Sequence, residues 1–298
     1  MTTPPLVVAI GEVLWDLLPS GPQLGGAPAN VACHAHSLGA RSVLISKIGD
    51  DVLGRDVLRT FADRGWSTKG IEILPGGATG HVDVQMLAGG EPQYTIRENV
   101  AWDHIQPTVA ASWLVQQADA ICFGSLAQRT EIGRSGIQSL LKAGRRNALR
   151  VFDVNIRQSY WTQEILRESL SLSNALKLNE SELSAFRDAC GLCGSTCEQL
   201  EQLAKVYSLR WIAFTRGAGG SLLYANRDWV EHPGFSVAVC DTVGAGDAFT
   251  AATILGWLRS DSADAMNRLA NEVAAFVCTQ PGATPALPEH FQMWKGPN

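Results

Sequence analysis

The sequence has neither a long apolar run nor an excess of basic residues. No segment reaches the roughly 18 consecutive apolar residues that a membrane-spanning helix needs, and Met1–Pro5 lacks the features of a secretory signal. The formal net charge is −5, so no positive field favours nucleic acid or an anionic membrane. We therefore expect a cytoplasmic protein that binds neither nucleic acid nor membranes.

The cysteines do not form the pattern of a disulfide-bonded protein. There are seven of them, an odd number in a chain without a secretory signal. Cys190, Cys193 and Cys197 lie close together, but no histidine is near and a fourth metal ligand is missing. We expect a loop between helices there and assign no function to it.

Two common nucleotide-binding motifs are also absent. Neither G-x-x-x-x-G-K-[ST] nor G-x-G-x-x-G occurs in the chain. The missing dinucleotide motif argues against a Rossmann dehydrogenase. A phosphate-handling protein with this sequence would have to use a different loop.

The composition and the order of elements indicate an α/β fold. The chain has 298 residues, of which 46% are hydrophobic and 18% charged, enough for one large domain spanning residues 1–298 with a sizeable core. Short apolar strands alternate with helices, which predicts a doubly wound, mostly parallel sheet flanked by helices. A hairpin pattern, Val82–Leu87 and Gln93–Ile96 around Gly89–Pro92, interrupts this rhythm and predicts a small separate sheet.

The segment Val239–Ala252 contains the most informative motif. Gly244, Ala245 and Gly246 leave their backbone N–H groups uncovered at a helix start, where an anion is favoured. Asp247 follows directly, where a carboxylate can take a proton from an attacking hydroxyl. A helix that merely begins after a glycine-rich turn and is capped by Asp247 explains the same residues, so both interpretations remain open.

Polar and glycine-rich segments also follow the amino-terminal strand. Asp16 stands among apolar residues, where a carboxylate can accept hydrogen bonds from two neighbouring hydroxyls of a polyol. Gly25 and Gly26 permit close approach of a ligand to the backbone, and Asn30 offers both a donor and an acceptor. A strand-end turn and a proline-started helix are the alternative interpretation.

Three further strand ends carry similar residues. Alternation sends Asp153, Asn155 and Arg157 to one side, a combination suited to phosphate or carboxylate. Asn179–Glu182 opens a helix and fits a capping box equally well. The glycines of Thr215–Ser221 either surround phosphates or make a hairpin turn. In parallel sheets ligands bind at the carboxyl ends of strands, where all these segments lie.

Together these motifs resemble the ribokinase-like (PfkB) family of ATP-dependent carbohydrate kinases, and within it the fructokinases. Asp241–Phe249 is similar to the family's C-terminal signature, and Gly25–Asn30 with Ile48–Gly54 is similar to its N-terminal signature. The resemblance extends from about Val7 to Pro288. It implies transfer of the γ-phosphoryl group of ATP to a sugar hydroxyl, most simply of fructose. It also implies a small β lid, with strands at about 6–14 and 79–97.

The resemblance also implies roles for individual residues in catalysis and sugar binding. Asp247 would be the general base, and the backbone of Gly244, Ala245 and Gly246 the anion hole. Arg157 would approach the phosphates or the sugar. The residues expected to contact or shape the sugar site are Asp16, Gly25, Gly26, Asn30, Arg157 and Trp102, the last standing where fructokinases usually have a small residue.

For cofactors, the resemblance implies ATP, Mg²⁺ and, as in many family members, K⁺. Mg²⁺ would be held through water near Asn179 and Glu182. The residues expected to contact ATP are Asn179, Glu182, Thr215, Gly217, Gly220 and Asn271. The K⁺ site would use oxygens of Asp241, Val243, Val277 and Gly282.

The sequence leaves alternatives open for substrate and assembly. Other acceptors are ribose, 2-keto-3-deoxygluconate or a nucleoside, and a non-catalytic sugar- or nucleotide-binding protein on the same fold is a further alternative. An exposed lid sheet would have edges to cover, so we expect a homodimer formed through the lid.

Overall fold

The computed structural model describes residues 3–86, 92–225 and 227–294, and its largest element is a nine-stranded sheet. The strands are β1 (Leu6–Ile10), β2 (Leu14–Leu18), β3 (Gly21–Gly25), β4 (Arg41–Gly49), β5 (Ile71–Leu74), β6 (Gly80–Met86), β7 (Pro92–Ile96), β8 (Ala120–Phe123), β9 (Leu149–Asp153), β10 (Ala175–Asn179), β11 (Trp211–Thr215), β12 (Ser221–Ala225) and β13 (Asp228–His232). The helices are α1 (Ala27–Ser37), α2 (Val52–Asp63), α3 (Val109–Gln117), α4 (Glu131–Ala143), α5 (Gln163–Leu172), α6 (Glu180–Cys190), α7 (Thr196–Tyr207), α8 (Ala245–Leu258) and α9 (Ala263–Cys278).

The large sheet runs in the order β13-β12-β11-β10-β9-β8-β1-β4-β5. Its strands from β11 through β5 are parallel, and β12 and β13 add an antiparallel edge. The parallel strands are mostly apolar because helices cover both faces of the sheet. Along β1, for example, Val8 and Ile10 pack in one hydrophobic cluster, whereas Val7 packs in another with Phe249 and Ile254 of α8. The mostly parallel α/β sheet predicted from the sequence is thereby confirmed.

A second, four-stranded sheet has the order β3-β2-β6-β7. The predicted hairpin is present as an antiparallel β6–β7 pair, in which Val82 faces Ile96. Leu87 and Gly89–Glu91 of that prediction lie outside the described residues. β2 pairs with β3 in antiparallel fashion and with β6 in parallel fashion. We call this sheet the lid sheet.

The predicted lid strand at about 6–14 is wrong in its position. Leu6–Ile10 lies at the centre of the large sheet between β4 and β8, and all five of its side chains are buried. A strand that is apolar on both sides needs cover on both faces, which a lid cannot provide. The first segment of the chain that lies in the lid sheet runs from Leu14 to Gly25. The assignment of the whole chain to one domain stays a prediction.

The cysteine cluster lies where the sequence predicts a loop between helices. α6 ends at Cys190 and α7 begins at Thr196, with Cys193 exposed between them. All seven cysteines are free thiols, and no metal-binding cluster of His, Cys, Asp or Glu occurs among the described residues. Within the same ranges, no helix is long and apolar enough to cross a bilayer.

Candidate active site

A cleft of about 1130 Å³ lies at the carboxyl ends of the parallel strands, with the lid sheet on one side. Asp16 and Val82 line it from the lid sheet, and Asn179 and Thr215 line it from the ends of β10 and β11. This is the edge at which open α/β sheets bind ligands. The segments that the sequence singled out therefore converge on one cavity.

The Gly244–Gly246 turn forms the floor of this cleft. Gly244 has a φ of 79° and precedes the first residue of α8, and among the described residues no side chain caps this helix. A Cβ atom on Gly244 would collide with the carbonyl oxygen of Ala283, so the turn requires glycine. The start of α8 lines the cleft, and the N–H groups of a helix start suit an anion. The N–H of Ala245 itself lies 3.4 Å from the carbonyl oxygen of Thr242.

Asp247 does not cap α8, which excludes the simpler interpretation of this turn. Its Oδ2 accepts a hydrogen bond from Nδ2 of Asn30 at 2.8 Å, and the carboxylate lines the cleft although only 7% of the residue is exposed. Burial, reinforced by the nearby charge of Asp153, raises the pKa of Asp247 to about 7, against the opposing effects of Asn30, Lys177 and Arg157. A carboxyl with this pKa can accept a proton near neutral pH.

The end of the cleft next to the lid brings together the residues predicted to hold a sugar. Gly25 packs against the carboxylate of Asp16, where a Cβ atom would lie 2.6 Å from Oδ2. Gly26 has a φ of 108° and lies against the backbone of Glu12, so neither position accepts a side chain without displacement. With Asn30, these residues present carboxylate and amide groups to one region, as recognition of several hydroxyls requires.

Arg157 also lines this region. Its guanidinium donates to the backbone oxygen of Ile156 at 3.2 Å and to Oδ1 of Asn155 at 3.4 Å. Asn155 adopts a φ of 44°, an uncommon conformation for a residue other than glycine. Burial raises the pKa of the Asp16 carboxyl, and the positive charge of Arg157 partly offsets that rise. The two side chains therefore influence each other across the cleft.

The opposite end of the cleft is bounded by the Thr215–Gly220 loop and the stretch that follows β13. Thr215, Gly217 and Gly220 line it, and Gly220 has a φ of 75°. Asn271 lines it too, but its Nδ2 donates to Oγ of Ser221 at 2.7 Å and so ties α9 to β12. Sequence reasoning missed the apolar wall of this end, which consists of Phe235, Val237 and Val239.

Comparison with known proteins identifies the family. The pfkB family carbohydrate kinases match residues 22–290 of the chain. The chain belongs to the PfkB carbohydrate kinases. A putative sugar kinase of Pyrococcus horikoshii is 30% identical over 93% of this chain and 91% of its own length, and a fructokinase of Solanum tuberosum is 29% identical over 95% and 92%.

Solved structures agree with this assignment. The Pyrococcus horikoshii sugar kinase in complex with ATP is 29% identical, with a TM-score of 0.77, and the match covers 93% of this chain and 94% of the other. A putative ribokinase II of E. coli, solved with ATP and Mg²⁺, has a TM-score of 0.81 at 21% identity over 95% of both chains, which shows the ribokinase-like fold. The protein is thus a sugar kinase with a ribokinase-like fold.

In this sugar kinase, Trp102 does not lie where the sequence suggested. It is fully buried in a short 3-10 helix (Ala101–His104), away from the lining of the cleft. Its ring packs against the guanidinium of Arg129, whose CZ carbon lies 4.0 Å from the ring centroid. Arg129 in turn donates to both carboxylate oxygens of Asp103 at 2.7 and 2.9 Å. Trp102 therefore belongs to the core beneath the lid sheet, and the prediction that it shapes the sugar pocket is wrong.

The capping-box interpretation of Asn179 and Glu182 is correct as far as their hydrogen bonds go. Oδ1 of Asn179 accepts from the Glu182 N–H at 3.0 Å, and Oε2 of Glu182 accepts from the Asn179 N–H at 2.9 Å. Oε1 of Glu182 also accepts from the N–H of Ile156. Asn179 lines the cleft, whereas Glu182 is buried behind it. Both carboxylate oxygens of Glu182 thus accept from backbone N–H groups, and a role of the pair in holding a hydrated Mg²⁺ ion stays a prediction.

The residues predicted to bind K⁺ lie beside the Gly244–Gly246 turn, and only Val243 among them lines the cleft. Oδ1 of Asp241 accepts from the N–H of Val243 at 3.0 Å, and Oδ2 accepts from the N–H of Gly282 at 3.1 Å. Val277 is buried in α9, with its carbonyl oxygen accepting from the N–H of Gln280. Asp241 therefore holds Val243 and Gly282 together beside the turn, and K⁺ binding at these residues stays a prediction.

Two buried charged residues of the cleft were not predicted as site residues. Glu12 is 3% exposed, burial raises the pKa of its carboxyl, and its Oε2 has no hydrogen-bond partner among the described residues. Lys177 is 3% exposed and lies 3.0 Å from Oδ1 of Asp153. For Lys177 the signal was a single charge inside the otherwise apolar strand Ala175–Asn179, and for Glu12 a carboxylate two residues after β1.

Proposed function

We propose that this sugar kinase transfers the γ-phosphoryl group of ATP to a hydroxyl of fructose, with Asp247 as the general base. One observation carries the proposal: the Asp247 carboxylate lies at the junction of the anion turn and the polar end of the cleft. A base at that junction can reach a hydroxyl on one side while the turn holds a phosphoryl group on the other.

Asp247 would take the proton of the attacking hydroxyl as the oxygen bonds to the γ-phosphorus and ADP leaves. Asn30 fixes the orientation of the carboxylate through its hydrogen bond to Oδ2, which leaves Oδ1 for the substrate hydroxyl. With a pKa of about 7, Asp247 is about half ionised at neutral pH and largely ionised only above it. Once a hydroxyl proton has been transferred, the same burial favours the neutral carboxyl.

The Gly244–Gly246 turn would stabilise the transferring group. In phosphoryl transfer, charge is spread over the equatorial oxygens of a loose transition state, and fixed backbone donors stabilise it without having to reorganise. The left-handed Gly244 and the helix start at Ala245 hold these donors in place before any ligand binds. This is the preorganisation that such a transition state needs.

Two observations support fructose: the polar groups at the sugar end of the cleft and the name of a similar protein. Asp16, Asn30 and the bare backbone of Gly25 and Gly26 offer several groups to a polyol, and the potato relative is named a fructokinase. Arg157 next to Asp16 favours one alternative, since a guanidinium in the sugar region also suits the carboxylate of a sugar acid such as 2-keto-3-deoxygluconate. That alternative is included in the test below.

ATP would occupy the end of the cleft formed by Thr215, Gly217 and Gly220, with its base against Phe235, Val237 and Val239. A Mg²⁺ ion held through water near Asn179 and Glu182 would neutralise phosphate charge. K⁺ would bind at Asp241, Val243 and Gly282, next to the turn. Asn271 supports this end by fixing β12 against α9.

The proposal extends to assembly and location. The lid sheet has two edge strands, β3 and β7, and Tyr94 of β7 is 51% exposed. Exposed edges are usually covered, so we place a homodimer contact on the lid sheet, which sedimentation velocity can test. The free thiols fit the cytoplasm, where ATP is supplied.

A panel of acceptors tests the proposed function. ADP release would be measured with fructose, other ketoses, ribose, 2-keto-3-deoxygluconate and nucleosides, with each sugar phosphate confirmed by mass spectrometry. Fructose should give the highest kcat/KM. A higher kcat/KM for 2-keto-3-deoxygluconate would mean that the substrate is the sugar acid and not fructose. Turnover of nucleosides alone would overturn the proposal that the acceptor is a sugar.

A further inference from the structure

Lys177 lies directly beneath the anion turn. It projects from β10, and a Cβ atom built on Gly246 would lie 3.2 Å from its Nζ and 3.9 Å from its Cε. The ammonium is therefore packed against the backbone that would hold the transferring phosphoryl group. Lys177 also lines the cleft, although only 3% of the residue is exposed.

The surroundings keep this side chain charged. Burial alone lowers the pKa of Lys177, but the carboxylates of Asp153, Glu182 and Asp247 outweigh that effect and raise the pKa above its usual value. A buried ammonium is costly unless it is paired, and here Asp153 is the ion-pair partner at 3.0 Å. The fold therefore maintains a permanent positive charge at the floor of the cleft.

Asp153 is anchored from its other side. Oγ1 of Thr250 in α8 donates its single proton to Oδ2 of Asp153 at 2.7 Å and lies 3.0 Å from the carbonyl oxygen of Gly246. Asp153 thus connects Thr250 in α8 with Lys177. These contacts fix the position of the ammonium relative to the anion turn.

The hydrogen-bonding capacity of Lys177 is not used up by this pair. An ammonium has three N–H donors, and Oδ1 of Asp153 has no directed hydrogen bond among the described residues although the charges are close. Donors are consequently left for a group in the cleft beside Gly246. An anion placed on the turn would lie within their reach.

We propose that Lys177 is a catalytic residue that donates hydrogen bonds to the transferring phosphoryl group, an inference that rests on the proposed function. The bond between the γ-phosphorus and the oxygen bridging to the β-phosphate breaks, and the bond to the sugar oxygen forms. The hydroxyl proton goes to Asp247, and Lys177 keeps its protons throughout. Lys177 thus adds a full positive charge to the backbone donors of the turn.

A double replacement separates this role from a structural one. Lys177→Met alone would leave Asp153 buried without a partner, which can unfold the protein. Asp153→Asn removes that requirement, and the asparagine oxygen can still accept from Thr250. In the single variant the carboxylates of Glu182 and Asp247 remain near the ammonium of Lys177. The comparison is therefore between Asp153→Asn and the double variant Asp153→Asn/Lys177→Met, with circular dichroism and Tm showing that both are folded.

The double variant should lose about 10²–10³-fold in kcat relative to Asp153→Asn, with the KM for the sugar changed little, as for removal of a donor to a developing oxyanion. Calorimetry should show weaker ATP binding with ADP binding unchanged, because only ATP carries the γ-phosphoryl group. Equal kcat and equal ATP affinity in the two variants would overturn the inference.

Lys47→Met is the matched control. Lys47 lies on β4, is mostly buried and pairs with Glu72 at 3.5 Å, far from the turn, so its removal should leave kcat and the ATP affinity unchanged. If the unmodified protein bound no ATP, the proposed function would fail irrespective of Lys177. If the unmodified protein bound ATP but Asp153→Asn and the double variant had equal kcat and equal ATP affinity, only the proposed role of Lys177 would fail.

Discussion

Nδ2 of Asn30 donates to Oδ2 of Asp247 at 2.8 Å, although 217 positions separate the two residues in sequence. This bond joins the start of α1, next to the lid sheet, to the start of α8, next to the anion turn. It connects the two ends of the cleft and orients the carboxylate of Asp247. The proposed reaction depends on this contact.

The raised pKa of Asp247 sets an expected pH dependence. Since the base must be ionised, kcat/KM for the sugar should fall as the pH drops below about 7. Asp153 contributes to the rise in that pKa, so Asp153→Asn should move the acidic limb to lower pH. A pH–rate profile of both proteins measures this. An acidic limb that is unchanged in Asp153→Asn would contradict the assigned electrostatic coupling.

The same pKa has a consequence for stability. An aspartate ionises near pH 3.9 in an unfolded chain and near pH 7 at this buried site, so Asp247 stabilises the fold below about pH 4 and loses that contribution as the pH rises through 7. Asp247→Asn lacks this titration. Its Tm relative to the unmodified protein should therefore increase between pH 4 and pH 8. A difference in Tm that stayed constant over this range would argue against the shifted pKa.

Asp16→Asn tests the sugar end of the cleft. Loss of the carboxylate should raise the KM for the sugar at least about tenfold, since hydrogen bonds to charged groups contribute about 1.5–3 kcal/mol, while the KM for ATP changes little. Asp83→Asn is the control, because Asp83 lies on β6 of the same lid sheet outside the cleft lining. Equal increases in both KM values for Asp16→Asn would count against a sugar contact.

Trp102→Ala tests the position of this residue in the core. Removing a fully buried aromatic ring that packs on Arg129 should destabilise the protein by about 3–5 kcal/mol. Because Trp102 lies away from the cleft, the ranking of sugars by kcat/KM should stay the same at a temperature where the variant is folded. Chemical denaturation and the acceptor panel measure the two quantities. A changed ranking of sugars by kcat/KM would show that Trp102 does shape the sugar pocket.

The starts of two helices follow from local sequence signals. Small residues precede the apolar α8 (Ala245–Leu258), and a capping serine, Ser262, precedes the amphipathic α9 (Ala263–Cys278). β2 and β3 were missed. Leu14–Leu18 does not alternate cleanly, and Gly21–Gly25 contains glycine and proline, which normally indicate a turn.

Those parts of the site that are contiguous in sequence were predictable, whereas those that depend on tertiary contacts were not. The Gly244–Asp247 turn is contiguous in sequence, and its interpretation as an anion site needed only the strand-end argument. The pairing of Lys177 with Asp153 joins two strands, and the burial of Trp102 under the lid sheet depends on Arg129. Such contacts follow from how the elements pack, which no local pattern contains.

The central claim is that the protein transfers a phosphoryl group to fructose with Asp247 as the general base. ³¹P NMR of the unmodified protein and of Asp247→Asn, measured side by side, tests this claim most directly. With ATP, Mg²⁺ and fructose, the unmodified protein should form a fructose phosphate. Asp247→Asn should form it at least about 10²-fold more slowly while still binding ATP. Comparable rates in the two proteins, or no sugar phosphate from the unmodified one, would contradict the account.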